Sequence, residues 1–140
     1  MDVVDRGRWD RPRPAAEADF GEYLRACAEG RLVIQRCPVC GHQQWYPRSI
    51  CTACAATPGW QDVAGTGTVY TFTVIRQFHA APFGSELPYA VAMVDLDDAP
   101  VRIFGTVTAP NVDALHIGLP VQAYAVKFDA DHALPYWRPR

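Results

Sequence analysis

The chain has 140 residues, with 15 acidic and 13 basic side chains and a formal net charge of −2. This length suits one domain or two small ones, and the charge disfavours a general nucleic-acid binder, which usually presents a basic surface. The 10 glycines and 12 prolines favour short strands and turns over a helical bundle. No stretch approaches the roughly 18 consecutive apolar residues of a membrane span, so we expect no membrane partner.

Residues 1–14, MDVVDRGRWDRPRP, form a polar, arginine-rich arm that does not resemble a secretory signal. We therefore expect a cytoplasmic protein, in a reducing compartment where paired cysteines bind metal more often than they form disulfides. Pro12 and Pro14 block a helix. The arm is interpreted either as a disordered tail or as a segment that becomes ordered on a partner protein.

Residues 15–29 predict an amphipathic helix, because apolar side chains recur at spacings of three and four. Gly30 follows as a C-terminal cap. Cys27 is interpreted as a buried structural thiol, since a reactive cysteine needs an accessible, electropositive setting. The apolar stripe consists of Ala16, Phe20, Tyr23, Leu24 and Cys27.

The segment CPVCGHQQWYPRSICTAC follows a short predicted strand, RLVIQR, and contains four of the five cysteines. Two Cys-x2-Cys pairs, ten residues apart, predict a tetrahedral metal site on two adjacent turns. Zinc is preferred, and a rubredoxin-like iron site is the alternative. Four thiolates leave no open ligand position, so the site is predicted to be structural, and bound zinc would make the net charge about −4. The predicted ligands are Cys37, Cys40, Cys51 and Cys54.

The residues beside the two cysteine pairs differ in how well they suit a tight turn. Gly41 follows the first pair and fits a turn that needs a positive φ angle. Ala55 occupies the equivalent place after the second pair and fits less well. His42 is interpreted as a surface histidine, not as a further ligand.

The second half of the chain predicts short strands without a long helix between them. In residues 66–78 apolar and polar side chains alternate, with Tyr70, Phe72 and Val74 on one face. Gly105 indicates a bulge or a sharp bend. An antiparallel sandwich or a small barrel is expected, and about 75 residues suits five strands. The other predicted elements are strands at 89–96, 101–108 and 120–129, a loop at 79–87 and a helical turn within 110–118.

No catalytic residue is predicted, because the chain has no nucleophile elbow, Gly-rich phosphate loop or HExxH motif. The acidic residues at 95, 97 and 98 end a strand and enter a turn, where solvated acids are common. The segment Tyr136-Trp137-Arg138 is the best candidate for a partner surface, where these residue types are enriched. The four histidines, interpreted as loop residues, are His42, His79, His116 and His132.

The order of these segments resembles the family of rubredoxin-like zinc-ribbon plus OB-fold proteins associated with acyl-CoA metabolism. The resemblance implies a mainly β fold with an N-terminal helix, a rubredoxin-like zinc ribbon and a C-terminal five-stranded OB-fold barrel. The implied division is an arm and helix at 1–32, a ribbon at 33–60 and a barrel at 61–140. The resemblance covers about residues 20–139 and rests on GRLVIQRCPVCGHQQWYPRSICTAC, GTGTVYTFTVI, LPYAVAMVDLD, IGLPV and LPYWRP.

The resemblance also implies a function, that of a non-catalytic accessory subunit of a thiolase-like enzyme. Members of the family assist aldol or Claisen-type chemistry on CoA thioesters, including steroid side-chain cleavage. Their barrel packs against a thiolase-like dimer and shapes the acyl-CoA entrance, and their zinc is structural. A free-standing subunit and an excised domain both remain open.

The residues that would contact acyl-CoA are not identified by the resemblance. Candidates for its phosphates are Arg36, Arg48 and Arg76, and Trp45 and Tyr46 between the cysteine pairs are candidates for docking. Two alternatives are a single-stranded nucleic-acid-binding OB module and an iron-bound electron carrier.

Overall fold

The computed structural model describes residues 1–16, 18–77 and 81–140. The predicted strand end at Phe78 and the predicted loop histidine His79 lie outside the described residues. No helix in the described ranges is both long and apolar enough to cross a membrane. The elements are β1 Val3–Asp5, α1 Ala18–Ala28, β2 Leu32–Arg36, β3 Gln43–Gln44, β4 Gly59–Val63, β5 Thr66–Ile75, β6 Tyr89–Leu96, β7 Arg102–Val107, β8 Pro120–Lys127 and β9 Ala133–Pro139, with single 3-10 turns at Phe83–Glu86 and Val112–Ala114.

Helix α1 buries most of the predicted apolar stripe, although the helix begins at Ala18, after Ala16, and Phe20 is only half-buried. Tyr23, Leu24 and Cys27 are at most 1% exposed, and the helix packs against β2, β8 and β9. The helix ends where predicted, because Gly30 has a φ of 81° and its N–H donates to the Cys27 carbonyl at 3.0 Å. This arrangement places the first turns of the helix beside both the ribbon and the barrel.

The second half of the chain forms a closed five-stranded barrel, which confirms the predicted fold class. Its strand order is β8-β5-β6-β7-β9, and pairing of β9 with β8 closes the barrel. β7 and β9 run parallel, and the other neighbouring strands of the barrel are antiparallel. This is the arrangement of an OB fold.

The fifth strand corrects one interpretation of the sequence. The segment LPYWRP is β9, which lies between β7 and β8. Trp137 is fully buried in the shared core. Tyr136, 4% exposed, lies in a smaller buried cluster with Tyr124 and Val126, so neither residue forms a partner surface. Arg138 lies near the strand end and forms an ion pair with Asp2.

Strand β5 corrects a second prediction. Its register with β6 shifts between Val69 and Thr71, which marks a β-bulge. The bulge leaves Val69 1% exposed and turns Tyr70 outward, 47% exposed, instead of placing it with Phe72 on the inner face. The guanidinium carbon of Arg102 lies 3.4 Å from the centroid of the Tyr70 ring.

At Gly105 the indole ring of Trp137 lies close to the backbone of β7, and the predicted bulge is not found. Its pairing with Ala92 of β6 is regular, without a register shift. A β-carbon at this position would lie 2.9 Å from the indole ring of Trp137. Glycine is required here because the buried indole occupies the space of a side chain.

The N-terminal arm, residues 1–14, is ordered on the chain's own barrel, which differs from both interpretations of it. β1 pairs in parallel with β8, with Val3 opposite Ala125. The Met1 ammonium group donates to the Gly30 carbonyl at 2.6 Å. Further along, the Trp9 ring lies 5.7 Å from the Phe128 ring, centroid to centroid.

The ribbon is a three-stranded sheet in the order β3-β2-β4. β4 pairs with β2 as far as Val63, so the predicted boundary after residue 60 falls inside a ribbon strand. Residues from α1, β2 and the barrel belong to one cluster of buried side chains. The helix, the ribbon and the barrel therefore share a core.

Candidate functional site

The first cysteine pair lies on a tight turn directly after β2. The Cys37 N–H donates to the carbonyl of His42 at 2.9 Å, and the Gly41 N–H donates to the carbonyl of Cys37 at 2.9 Å. Gly41 has a φ of 75°, as the sequence predicted. The turn needs this conformation because it returns the chain to β3, which begins at Gln43.

The second cysteine pair repeats this turn. The Cys51 N–H donates to the carbonyl of Ala56 at 2.8 Å, and the Ala55 N–H donates to the carbonyl of Cys51 at 2.9 Å. Ala55 takes a φ of 62°, the left-handed conformation that glycine adopts in the first turn. Side chains disfavour this region, so the second turn carries strain that the first turn lacks.

Replacing Ala55 with glycine is expected to stabilise the protein by about 1 kcal/mol, because it removes the steric cost of a left-handed alanine. The change is measurable as a rise in thermal melting temperature. Ala53, exposed in the same turn and without a positive φ, provides the matched control. Ala53→Gly is expected to lower stability by roughly 0.5 kcal/mol, and equal effects at both positions would contradict the argument.

The two turns bring the four predicted cysteines together, and their Sγ atoms all lie within 4.8 Å of one another. The Sγ atoms are 3.5 Å apart for Cys37 and Cys54 and 3.7 Å apart for Cys40 and Cys51. A Zn–S bond of about 2.3 Å implies sulfur–sulfur distances of about 3.8 Å in a tetrahedron. The donor set therefore fits a four-coordinate zinc or iron ion.

The backbone around the first turn favours the thiolate form of a ligand. The N–H of Cys40 points at the Cys37 sulfur and, together with the N–H of Val39, lowers the pKa of the Cys37 thiol to about 6. Thiolate is the form that binds a metal. His42 stands outside the group, exposed, with its Nε2 3.0 Å from the hydroxyl oxygen of Thr52.

Two buried glutamines position the ribbon loop, residues 41–50 between the cysteine pairs. The Gln44 amide donates to the Gln35 side-chain oxygen at 2.8 Å, and that oxygen also accepts from the Arg48 N–H at 2.9 Å. Gln44 in turn bonds the Ile50 carbonyl and accepts from the Thr52 N–H. Sequence reasoning missed both residues, although Gln35 is the one polar side chain in the otherwise apolar stretch LVIQ of β2.

The described histidines, His42, His116 and His132, lie in three different loops, as predicted. His116 is exposed, and His132 Nδ1 lies 2.9 Å from Asp129. Asp95 forms an ion pair with Arg102. These groups form no cluster with a nucleophile within the part of the chain that the structure describes.

Cys27 is a buried thiol, as predicted from its place on the helix stripe. Its side chain is fully buried in the shared core, and burial raises the pKa of the thiol from 9.0 to about 12. In the unfolded chain the thiol ionises near its ordinary pKa. The folded protein therefore keeps the proton over a pH range in which the unfolded protein loses it.

This difference predicts a contribution of Cys27 to alkaline unfolding. The contribution to stability is fully present below the ordinary thiol pKa and is lost as the pH rises from about 9 towards 12, with a slope of about 1.4 kcal/mol per pH unit. A Cys27→Ala variant is expected to lose part of the pH dependence seen in urea unfolding above pH 9. Parallel curves for the two proteins would contradict the assignment.

An apolar cavity of about 310 Å³ lies where the arm, α1, the ribbon loop and the barrel meet. Both docking candidates of the ribbon loop line this aromatic cavity. Tyr46 is 49% exposed and stacks on Phe20, with ring centroids 4.9 Å apart, while Trp45 is half-buried. The ribbon loop thus presents aromatic rings at the junction of all four parts.

A separate polar cleft of about 740 Å³ lies between the ribbon loop and the strands β6 and β7. Arg48 and Arg102 line this polar cleft. The other two candidate arginines are elsewhere, because Arg76 forms an ion pair with Asp113 and Arg36 is exposed at the end of β2. Of the three candidates, Arg48 is the one that lines this polar cleft.

A four-cysteine ribbon that shares its core with a closed OB barrel defines the class of zinc-ribbon OB-fold proteins. Residues 25–58 match the family described as "ChsH2, rubredoxin-like zinc ribbon domain", and residues 60–126 match "ChsH2, C-terminal OB-fold domain". The chain therefore belongs to the ChsH2 family, also called DUF35, which confirms the resemblance seen in the sequence.

Two relatives illustrate the range of this family. The chain is 31% identical over 106 residues to a "DUF35 domain-containing scaffold protein" of Methanocaldococcus jannaschii, covering 71% of this chain and 72% of the relative. It is 35% identical over 131 residues to a "Probable enoyl-CoA hydratase alpha subunit" of Thermomonospora curvata, covering 92% of this chain. The match spans only 40% of the length of the second relative.

Two solved structures share the fold. A chain of an "Ltp2-ChsH2(DUF35) aldolase" is 33% identical and superposes with a TM-score of 0.81, covering 91% of this chain and 98% of that chain. A DUF35-family protein of unknown function from Sulfolobus solfataricus is 12% identical, with a TM-score of 0.60 over 87% of this chain and 85% of that chain. The second likeness concerns the fold alone.

Proposed function

We propose that this chain is a non-catalytic accessory subunit of a thiolase-like enzyme that carries out aldolase or thiolase chemistry on acyl-CoA thioesters. The observation that carries the proposal is the likeness to the Ltp2-ChsH2(DUF35) aldolase chain, at 33% identity and a TM-score of 0.81. That match covers nearly the whole of the related chain. The relatives described as a scaffold protein and as a subunit support the same role.

In this proposal the metal is zinc, held by Cys37, Cys40, Cys51 and Cys54, and its role is structural. Four sulfurs complete a tetrahedron and leave no ligand position for a substrate. The metal fixes the two turns that begin and end the ribbon loop. Its contribution to function is thus to hold the aromatic side chains of that loop in a defined position.

The acyl-CoA would be bound at the interface with the enzyme, with this chain forming part of the entrance. The polar cleft between the ribbon loop and the barrel offers Arg48 for phosphate contacts, and the exposed Tyr46 offers an aromatic face for docking. Tyr and Arg are enriched at the centres of protein interfaces. The carbon–carbon chemistry itself would be performed by the partner.

Co-expression with a thiolase-like protein encoded nearby tests the proposal. We expect the two proteins to co-purify, and we expect the partner to lose solubility or activity when this chain is omitted. Tyr46→Ser should weaken co-purification more than Tyr70→Ser, a matched change at a tyrosine that is 47% exposed on the barrel. Full activity, solubility and substrate range of the partner alone would contradict the proposal.

The same purified protein can be used to test the alternative function, binding of single-stranded nucleic acid. A salt-sensitive mobility shift of a single-stranded oligonucleotide at micromolar protein would favour an OB module for nucleic acid. The acidic net charge of −2 predicts no such shift.

A further inference from the structure

The aromatic cavity draws its walls from all four parts of the molecule. The arm closes one side, α1 and the ribbon loop form another, and β7 and β9 of the barrel form the floor. Ligand sites occur preferentially at such junctions between structural units. The walls include Trp9, Phe20, Trp45, Tyr46, Leu134 and Tyr136.

The one cation among the described side chains that line this cavity is neutralised. The Arg11 side chain is only 10% exposed, and its guanidinium donates to the Tyr136 hydroxyl and to the Glu86 carboxylate. The guanidinium carbon also lies 5.4 Å from the centroid of the Trp9 ring. Because the Glu86 carboxylate balances this charge, the cavity offers no net charge to an anionic ligand.

The size of the cavity sets the size of its occupant. An apolar cavity of about 150 Å³ holds a benzene molecule, and small-molecule sites begin near 300 Å³. The 310 Å³ between the arm and the barrel therefore matches two fused rings. The surrounding aromatic side chains offer edge-to-face and stacked contacts with such rings.

We propose that this cavity is a binding site for an uncharged two-ring aromatic group, held between the arm and the barrel. The site does not depend on the accessory role proposed above, because all its walls belong to this chain. Neutrality follows from the Arg11–Glu86 pair, and ring character follows from the volume and the aromatic walls.

The test uses the zinc-loaded full chain and isothermal titration calorimetry with 2-naphthalenemethanol and 2-naphthoate, which share a ring system and differ in charge. The alcohol is expected to bind with a submillimolar Kd, and the carboxylate at least tenfold more weakly. Intermolecular NMR contacts from naphthyl protons to the methyl groups of Leu134 and Thr106 should locate the ligand. This measurement needs no variant.

Two tryptophan substitutions, one inside the cavity and one outside it, provide a matched comparison of alcohol binding. Thr106 is half-buried on β7 and lines the cavity, whereas Thr73 is exposed on β5 and does not line it. T106W is expected to abolish binding of the alcohol, and T73W to leave its Kd within twofold.

Three results would overturn the proposal. The first is no binding of the alcohol by calorimetry or NMR. The second is equal affinity for the alcohol and the carboxylate, which would contradict a charge-neutral site. The third is a T106W variant that binds the alcohol as tightly as the wild-type chain, which would place the ligand outside this cavity.

Discussion

Replacing Cys51 with serine is expected to release the metal and unfold the ribbon. The sulfurs of the four cysteines lie within 4.8 Å of one another, so the loss of one opens the tetrahedron. The binding free energy of structural zinc is about 10–16 kcal/mol in small zinc domains. This is comparable to the free energy of unfolding of a whole domain, roughly 5–15 kcal/mol. Metal content by mass spectrometry and thermal melting followed by circular dichroism measure the effect.

Cys27 provides the control for this substitution. Cys27→Ser introduces a hydroxyl into the shared core and should lower stability, but the variant should keep its full metal content because Cys27 is not in the metal group. A Cys51→Ser variant that retained its zinc and its melting profile would contradict a structural metal site. A coloured wild-type protein would indicate iron in place of zinc.

Replacing Gly67 with alanine is expected to destabilise the barrel by about 3 kcal/mol or more, because the added carbon has no space. A β-carbon at Gly67 would lie 2.2 Å from the Asp95 carbonyl oxygen and 2.8 Å from a methyl group of Val94. Gly67 pairs with both β6 and β8, so a shift of the backbone would disturb the closure of the barrel. We expect the melting temperature to fall by roughly 10 °C.

Gly59 in β4 is the matched control, since its added carbon would meet only the Arg36 carbonyl oxygen, at 3.5 Å, an ordinary contact. Gly59→Ala should change stability by no more than about 1 kcal/mol. Similar melting curves for the two alanine variants would show that Gly67 is not sterically required.

The elements that could be predicted from the sequence are those with a local signal. The helix stripe, the cysteine spacing, the helix cap at Gly30 and the turn at Gly41 each depend on a few neighbouring residues, and the structure has all of them. The strand β6 was also predicted, from its run of apolar residues. Its side chains alternate between buried and half-buried along the whole strand.

The features that could not be predicted depend on contacts between distant residues. The bulge after Val69 changes which side chains of β5 face inward, and no local pattern marks it. Trp137 resembled an exposed interface residue until its neighbours β7 and β8 were known. Gln35 and Gln44 organise the ribbon loop through hydrogen bonds across the sheet, which composition and spacing do not reveal.

The pairing of β1 with β8 has a consequence for how the protein folds during synthesis. Val3 lies opposite Ala125, so β1 is synthesised well before the strand with which it pairs. The helix, the ribbon turns and the β5–β6 hairpin can form from nearby residues, whereas the arm docks only after β8 has been made. Trp9 contacts Phe128 and Arg11 donates to Tyr136, so the arm side of the aromatic cavity is completed only after β8 and β9 have been made.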